Sequence, residues 1–135
     1  MPDSLGKSVK LHIAILAIQL ICQLGYSQKM PNAYYRAEAA LELNDTKNAL
    51  SWADSCFNAK PYRYQYYLVK GKVLLQANRY NEAIEAFLQA EQQRSGIASY
   101  QLARTYCLMG DTINCIEWTR QNLQSIYREP ESSFL

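Results

Sequence analysis

The pattern of apolar and polar residues changes near residue 27. Lys7 and Lys10 precede an apolar run, Leu11 to Cys22, whose apolar positions lie all round a helix rather than along one stripe. Gly25-Tyr26-Ser27 follows, with small residues at the −3 and −1 positions of a cut after Ser27. This three-part pattern predicts a secretory signal peptide over residues 1–27, and the run is short for a permanent membrane span.

The signal peptide predicts the location of the protein. We expect export, cleavage after Ser27, and a periplasmic or outer-membrane-associated protein of a bacterial cell envelope, with no stable membrane span after processing. Two alternatives are a core helix of the fold and lipidation at Cys22, although Leu20 and Ile21 match a lipoprotein signal poorly.

The rest of the chain contains an internal repeat. Residues 34–52 match residues 100–118 at an offset of 66, with Trp52 falling on Trp118. A middle copy lies at an offset of 34 from the first and 32 from the third. A repeated unit of this length is typical of stacked helical hairpins, in which each unit covers the apolar side of its neighbour.

Each copy predicts a helix, a tight turn and a second helix. Asn44, Asn78 and Gly110 suit the left-handed backbone that ends a helix, and Asp45 and Asp111 suit the cap of the next one. The predicted first helices are Pro31–Leu43, Tyr62–Ala77 and Gly96–Met109, and the second helices are Thr46–Asn58, Tyr80–Gln93 and Thr112–Tyr127.

Small residues recur where the two helices of each copy would cross. They are Ala37, Gly71 and Ala103 in the first helices and Ala49, Ala83 and Cys115 in the second helices. With Pro61, Phe87 and Ala90, this pattern resembles the tetratricopeptide repeat family. Departures from the family pattern are Arg36 and Lys70 at a usually aliphatic position, and Thr119 and Asn122 in the last helix.

The resemblance implies an all-α fold, a right-handed superhelical α-solenoid of three antiparallel helical hairpins. The predicted domains are a signal peptide at 1–27, three repeats within 28–128 (about 30–61, 64–95 and 96–127) and a tail at 129–135. No capping helix follows the third repeat, so we expect a partner, a further domain or a second copy to cover it.

Composition argues against several functions. The only histidine, His12, lies in the predicted signal peptide, so Ser-His-Asp and Cys-His arrangements are absent from the repeats. There is no glycine-rich phosphate loop and no cysteine cluster with metal-ligand spacing. A net charge of +2 is too small to indicate nucleic-acid binding. We therefore predict a non-enzyme without cofactor or metal, the unfavoured alternative being a histidine-free envelope enzyme.

Cys107 and Cys115 flank the third turn. They could form a disulfide in an oxidising compartment. Because Cys115 stands where the other copies have Ala49 and Ala83, we favour a small packing residue instead.

The resemblance implies binding along the concave surface formed by the first helices. The predicted function is a protein-interaction scaffold or adaptor for a protein or peptide, or else the interaction module of a larger envelope protein. The chaperone-tail type of this family clamps a terminal carboxylate with asparagines that are missing here, so that ligand is not predicted. The predicted partner-binding residues are Tyr34, Glu38, Leu41, Gln65, Leu68, Lys72, Leu75, Ile97, Tyr100 and Arg104.

Overall fold

The computed structural model describes residues 2–26, 30–58 and 60–125. Its contacts divide the chain into two units, Met1–Met30 and Pro31–Leu135, which are considered separately. The first contains helix α1 (Pro2–Tyr26), whose side chains from Gly6 to Leu20 are all exposed. Over the described ranges, every helix is too short or too polar to cross a membrane. The predicted cut after Ser27 lies outside the described residues.

The second unit is a stack of three helical hairpins. Helices pack most extensively in adjacent pairs: α2 with α3, α4 with α5, and α6 with α7. No strand occurs among the described residues, so the prediction of an all-α helical-repeat solenoid is confirmed. The helices are α2 (Asn32–Glu42), α3 (Thr46–Ser55), α4 (Tyr64–Gln76), α5 (Tyr80–Gln93), α6 (Ser99–Leu108) and α7 (Thr112–Gln124), with a 3₁₀ turn at Cys56–Asn58.

The three hairpin turns have the local geometry that the sequence predicts. Asn44, Asn78 and Gly110 have φ values of 57°, 59° and 78°, in the left-handed region. A carboxylate oxygen of Asp45 accepts a hydrogen bond from the Asn48 amide at 3.2 Å, and Asp111 accepts from the Asn114 amide at 3.1 Å. Both predicted caps are therefore confirmed.

Small residues let the helices of each hairpin approach closely. Ala37, Ala49 and Ala83 are completely buried, and Ala103 is 4% exposed. Larger side chains fill the remaining space, with Phe87 and Leu102 fully buried in the main core. The hairpins stack because each leaves an apolar side that the next one covers.

The departures from the family pattern have local explanations. The guanidinium of Arg36 lies 4.6 Å from the ring centroid of Trp52, and Lys70 forms an ion pair with Asp54 at 2.9 Å. Both long side chains therefore contact α3 while keeping their charges near the surface. Asn122 is only 2% exposed, and no described residue donates a hydrogen bond to its side-chain oxygen.

The structure corrects several predicted helix ends. Helix α6 begins at Ser99 rather than Gly96, because Gly96 has a φ of 84°. The Glu91 carboxylate organises this connection by accepting hydrogen bonds from the amides of Gly96 and Ala98 and from the Ser99 hydroxyl. Helix α4 begins at Tyr64 and α3 ends at Ser55, each inside the predicted range. The predicted last helix end at Tyr127 and the tail lie outside the described residues.

Cys107 and Cys115 form a disulfide, so the prediction that Cys115 serves only as a packing residue is wrong. Their Cα atoms lie 5.0 Å apart, because the turn brings the end of α6 next to the start of α7. Cys115 is also partly exposed, unlike the buried alanines at the same position in the other hairpins. Cys56 is free and buried.

Candidate functional site

A groove of about 420 Å³ crosses the first helices of all three hairpins, and it is called the front groove below. Helix α2 supplies one lining residue, α4 and α6 supply three each, the α4–α5 connection supplies Asn78, and α5 supplies its first residue, Tyr80. The groove is within the size range of small-ligand and peptide-side-chain pockets. Its lining residues are Leu41, Lys72, Leu75, Gln76, Asn78, Tyr80, Gln101, Arg104 and Leu108.

Four of the ten predicted partner-binding residues line the front groove: Leu41, Lys72, Leu75 and Arg104. The six others do not line it. Among them, Leu68 and Ile97 are partly buried and pack against the main core, so they help to hold the hairpins together. The remaining four, all partly buried, are Tyr34, Glu38, Gln65 and Tyr100.

Tyr34 and Glu38 interact with each other one helical turn apart. The Tyr34 hydroxyl donates a hydrogen bond to the Glu38 carboxylate at 3.0 Å. Burial, together with the nearby Glu38 carboxylate, raises the pKa of Tyr34 well above its ordinary value. This hydroxyl therefore stays protonated at neutral pH and remains a donor.

Leucines form the apolar part of the front groove. Leu75 is 7% exposed, and Leu41 packs against the buried cluster of Ala40, Ala49 and Val73. Leu108 is 55% exposed at the end of α6. The groove therefore has two leucines held by the core and a third that is open to a ligand.

Gln76, a lining residue of the front groove, links the first two hairpins through side-chain hydrogen bonds. Its side-chain nitrogen donates to the Leu41 carbonyl at 3.2 Å and to the Asn44 side-chain oxygen at 2.7 Å. Its oxygen accepts from the Thr46 hydroxyl at 3.0 Å. These bonds restrain the side chain, so the groove is largely formed before anything binds.

The two cations of the front groove come from neighbouring hairpins. Lys72 is on α4 and is partly buried, whereas Arg104 is on α6 and is exposed. None of the lining residues that the structure describes is acidic. The groove can therefore offer ammonium and guanidinium donors to a ligand acceptor.

Five lining residues were not predicted as binding residues. Gln76 is four residues after Lys72, and Gln101 and Leu108 lie three residues before and four after Arg104. These spacings place them on the same helix faces, so the i, i+3 and i, i+4 rule was the available signal. Asn78 follows α4 and Tyr80 begins α5, so the spacing along the first helices does not predict them. The Tyr80 hydroxyl donates a hydrogen bond to the Asn78 side-chain oxygen at 3.1 Å.

A second groove, of about 560 Å³, lies between the 3₁₀ turn, α4 and α5. Phe57 and Tyr67 form an aromatic edge there, with ring centroids 5.0 Å apart. Its charged residues include Lys70, paired with Asp54, and Glu82, paired with Arg79 at 2.5 Å. Glu85 also lines this groove, so it presents charges of both signs, unlike the described lining of the front groove.

No protein-family model matches the chain. A stretch of 86 residues, 63% of the chain, is 33% identical to Anaphase-promoting complex subunit 7 of Arabidopsis thaliana. The match spans about 15% of that relative's length. The chain is therefore similar to a small part of a complex subunit.

Proposed function

We propose that this protein is an exported scaffold or adaptor that binds a segment of another protein in the front groove. The observation that carries the proposal is the groove itself, which joins residues from the first helices of all three hairpins. Leucine side chains supply apolar contact, and Lys72 and Arg104 supply polar contact. An elongated peptide or helix with matching groups fits such a surface.

The similarity to a complex subunit supports a role in protein binding. That relative is named as a part of the anaphase-promoting complex, and this chain matches about 15% of it. We infer binding to a protein from this similarity, without inferring the relative's own complex or pathway. We assign no catalytic step, because the predicted mature chain has no histidine and acts through its surface.

Two observations support export as part of the proposal. The first is the bond between Cys107 and Cys115, because structural disulfides persist mainly in oxidising compartments. The second is α1, in which Leu11, Ile13 and Leu16 are each at least 60% exposed. An apolar helix that buries none of these side chains suits a segment that is removed by processing.

The alternative of an interaction module within a larger assembly is supported by the third hairpin. Ile113 is 82% exposed, and Leu108, Ile116 and Leu123 are each more than half exposed. A further domain, a partner or a second copy could cover these residues. Sedimentation of the purified protein tests self-association: a concentration-dependent dimer that Ile113→Asn abolishes supports it, and a monomer at all concentrations contradicts it.

Site-specific photocrosslinking tests the binding proposal. A photoreactive amino acid replaces Leu108 in the front groove or, as the matched control, Gln89 in the second groove. We expect crosslinks to a protein partner in the native cell fraction from position 108 and few from position 89. Absence of crosslinked protein from position 108, or equal crosslinking from both positions, contradicts binding in the front groove.

N-terminal sequencing of the protein recovered from cells tests export separately. We expect the mature protein to begin at Gln28. A protein that retains Met1 and residues 2–27 in its native location contradicts processing, whatever the groove binds.

A further inference from the structure

The charges of the front groove are unbalanced. Lys72 and Arg104 line it, and none of the described residues that line it is acidic. Neither cation forms an ion pair within the part of the chain that the structure describes. Two cations at one groove, beside walls of low dielectric constant, concentrate positive potential where a ligand would lie.

This imbalance is local. Lys70 pairs with Asp54 at 2.9 Å, Arg79 with Glu82 at 2.5 Å, and Arg120 with Glu117 at 2.9 Å. The whole chain has a net charge of only +2, so a general excess of basic residues does not explain the groove. Among the described residues of the repeats, Lys70, Arg79 and Arg120 pair with carboxylates of the chain, whereas Lys72 and Arg104 form no such pair and remain available for a carboxylate from outside.

We propose that the front groove selects an acidic segment, in which Asp or Glu side chains flank an aliphatic residue. The inference rests on the proposed function and narrows the class of partner. The carboxylates contact Lys72 and Arg104, and the aliphatic side chain contacts the leucines. Hydrogen bonds between ionised partners are about twice as strong as those between neutral groups, and a guanidinium can hold a carboxylate through two of them.

Side-chain carboxylates fit this arrangement better than a chain end does. Lys72 and Arg104 are on helices of different hairpins, so two carboxylates spaced along a segment can each find a cation. A chain terminus supplies a single carboxylate group for the two cations. Asn78, the only asparagine of the lining, already accepts a hydrogen bond from the Tyr80 hydroxyl.

Selection from a random peptide library tests the proposal with the full chain. Both peptide ends are blocked by fusion, so any acidic preference comes from side chains. We expect Asp and Glu to be enriched beside Leu, Ile or Val. Lys72→Glu with Arg104→Glu should invert the preference toward Lys and Arg. The control, Lys47→Glu with Arg120→Glu, makes the same charge change at exposed positions outside the groove and should leave the selection unchanged.

Affinity measurement by fluorescence anisotropy gives a second test that does not depend on charge reversal. The probe is the most enriched peptide, compared with a version in which Asn and Gln replace Asp and Glu. The amide version should bind about tenfold more weakly. Raising the salt concentration should lower the affinity of the acidic peptide more than that of the amide version. Lys72→Gln and Arg104→Gln should each lower the affinity for the acidic peptide by about three- to tenfold, and should leave the affinity for the amide version unchanged.

The outcomes separate this proposal from the proposed function. Enrichment of aliphatic residues without acidic ones, or equal affinity of the two peptides, overturns the acidic preference and leaves groove binding intact. An unchanged preference after charge reversal overturns it as well. Failure to enrich any peptide, together with no photocrosslinks from position 108, overturns both.

Discussion

The backbone of Gly71 lies against the ring of Phe87, so that a methyl group added at Gly71 would fall 2.6 Å from Cδ1 of that ring. Gly71 belongs to α4 and Phe87 to α5, and the ring is completely buried. This contact fixes how closely the two helices of the middle hairpin approach, and the ring has little room to move away.

Gly71→Ala should therefore lower the free energy of unfolding by about 1–3 kcal/mol, the usual cost of overpacking a core. In an ordinary helix interior, a change from Gly to Ala raises the free energy of unfolding by about 0.5–1 kcal/mol. The sign of the measured change therefore shows whether the ring of Phe87 blocks a side chain at position 71. Urea unfolding measures the effect. Repeating Gly71→Ala in a Phe87→Leu background should reduce its cost, because the ring atoms are gone. A stabilising Gly71→Ala in the unaltered protein would contradict the contact.

Glu91, near the end of α5, should be important for stability because it holds the connection to α6. Its carboxylate accepts hydrogen bonds from the Ala98 amide at 2.8 Å and the Ser99 hydroxyl at 3.2 Å, and from the Gly96 amide. Glu91→Ala leaves these donors without their acceptor and should cost about 1–3 kcal/mol in chemical unfolding. Glu85→Ala, on an exposed face of the same helix, is the control and should be nearly neutral. Equal effects of the two substitutions would refute the assigned role.

The disulfide should stabilise the third hairpin. The bonded cysteines are separated by 8 positions, and a loop of that size predicts about 2–3 kcal/mol from the restricted unfolded chain. A dithiol reductant should lower the melting temperature of the natural protein. The reductant should not change the melting temperature of the double variant Cys107→Ser, Cys115→Ala. Alanine is used at position 115 because the other hairpins have alanine at the equivalent position. If the natural protein is equally insensitive to reductant, the two thiols are not bonded.

The Asp111 cap should make stability depend on pH. Hydrogen bonds from the Asn114 side chain and amide hold the pKa of this carboxyl below its ordinary value of 3.8. Protonation therefore favours the unfolded state. The contribution of the cap is complete above the unfolded-state pKa and is lost as the pH falls through the lower folded-state pKa.

Thermal melts across this acidic range measure the effect. Asp111→Asn can still cap the helix but does not titrate, so it should lose part of the acid sensitivity and keep most of the stability at neutral pH. An Asn variant with the same pH profile as the natural protein would contradict the assigned cap.

Turns and helix crossings were predictable because they depend on local chemistry. Asn44 and Gly110 tolerate left-handed backbone geometry, and Asp45 caps the next helix. Ala49 is a small residue at the predicted helix crossing, and it is completely buried there. The Glu91 connection was not predictable, because its acceptor lies in the preceding helix and must be aimed by packing. The disulfide was missed because alignment of the repeats places Cys115 at a position where the other copies have alanine. Whether a disulfide forms depends instead on the distance between Cys115 and Cys107 in the fold.

The front groove was predictable in part. Repeat register places Leu41, Lys72 and Arg104 on first helices, and the structure brings them to one groove. Register could not predict that Gln76 would contact both the Leu41 backbone and Asn44, because those bonds cross between hairpins.

Hydrogen–deuterium exchange of the full chain, with and without the partner identified by photocrosslinking, tests most directly whether a partner occupies the front groove. The account predicts that binding slows exchange in peptides from α2, α4 and α6 that contain Leu41, Lys72 and Arg104. The α5 peptide containing Glu85 and Gln89 should exchange at an unchanged rate. Protection confined to α5, with none in the peptides from α2, α4 and α6, would contradict the central claim.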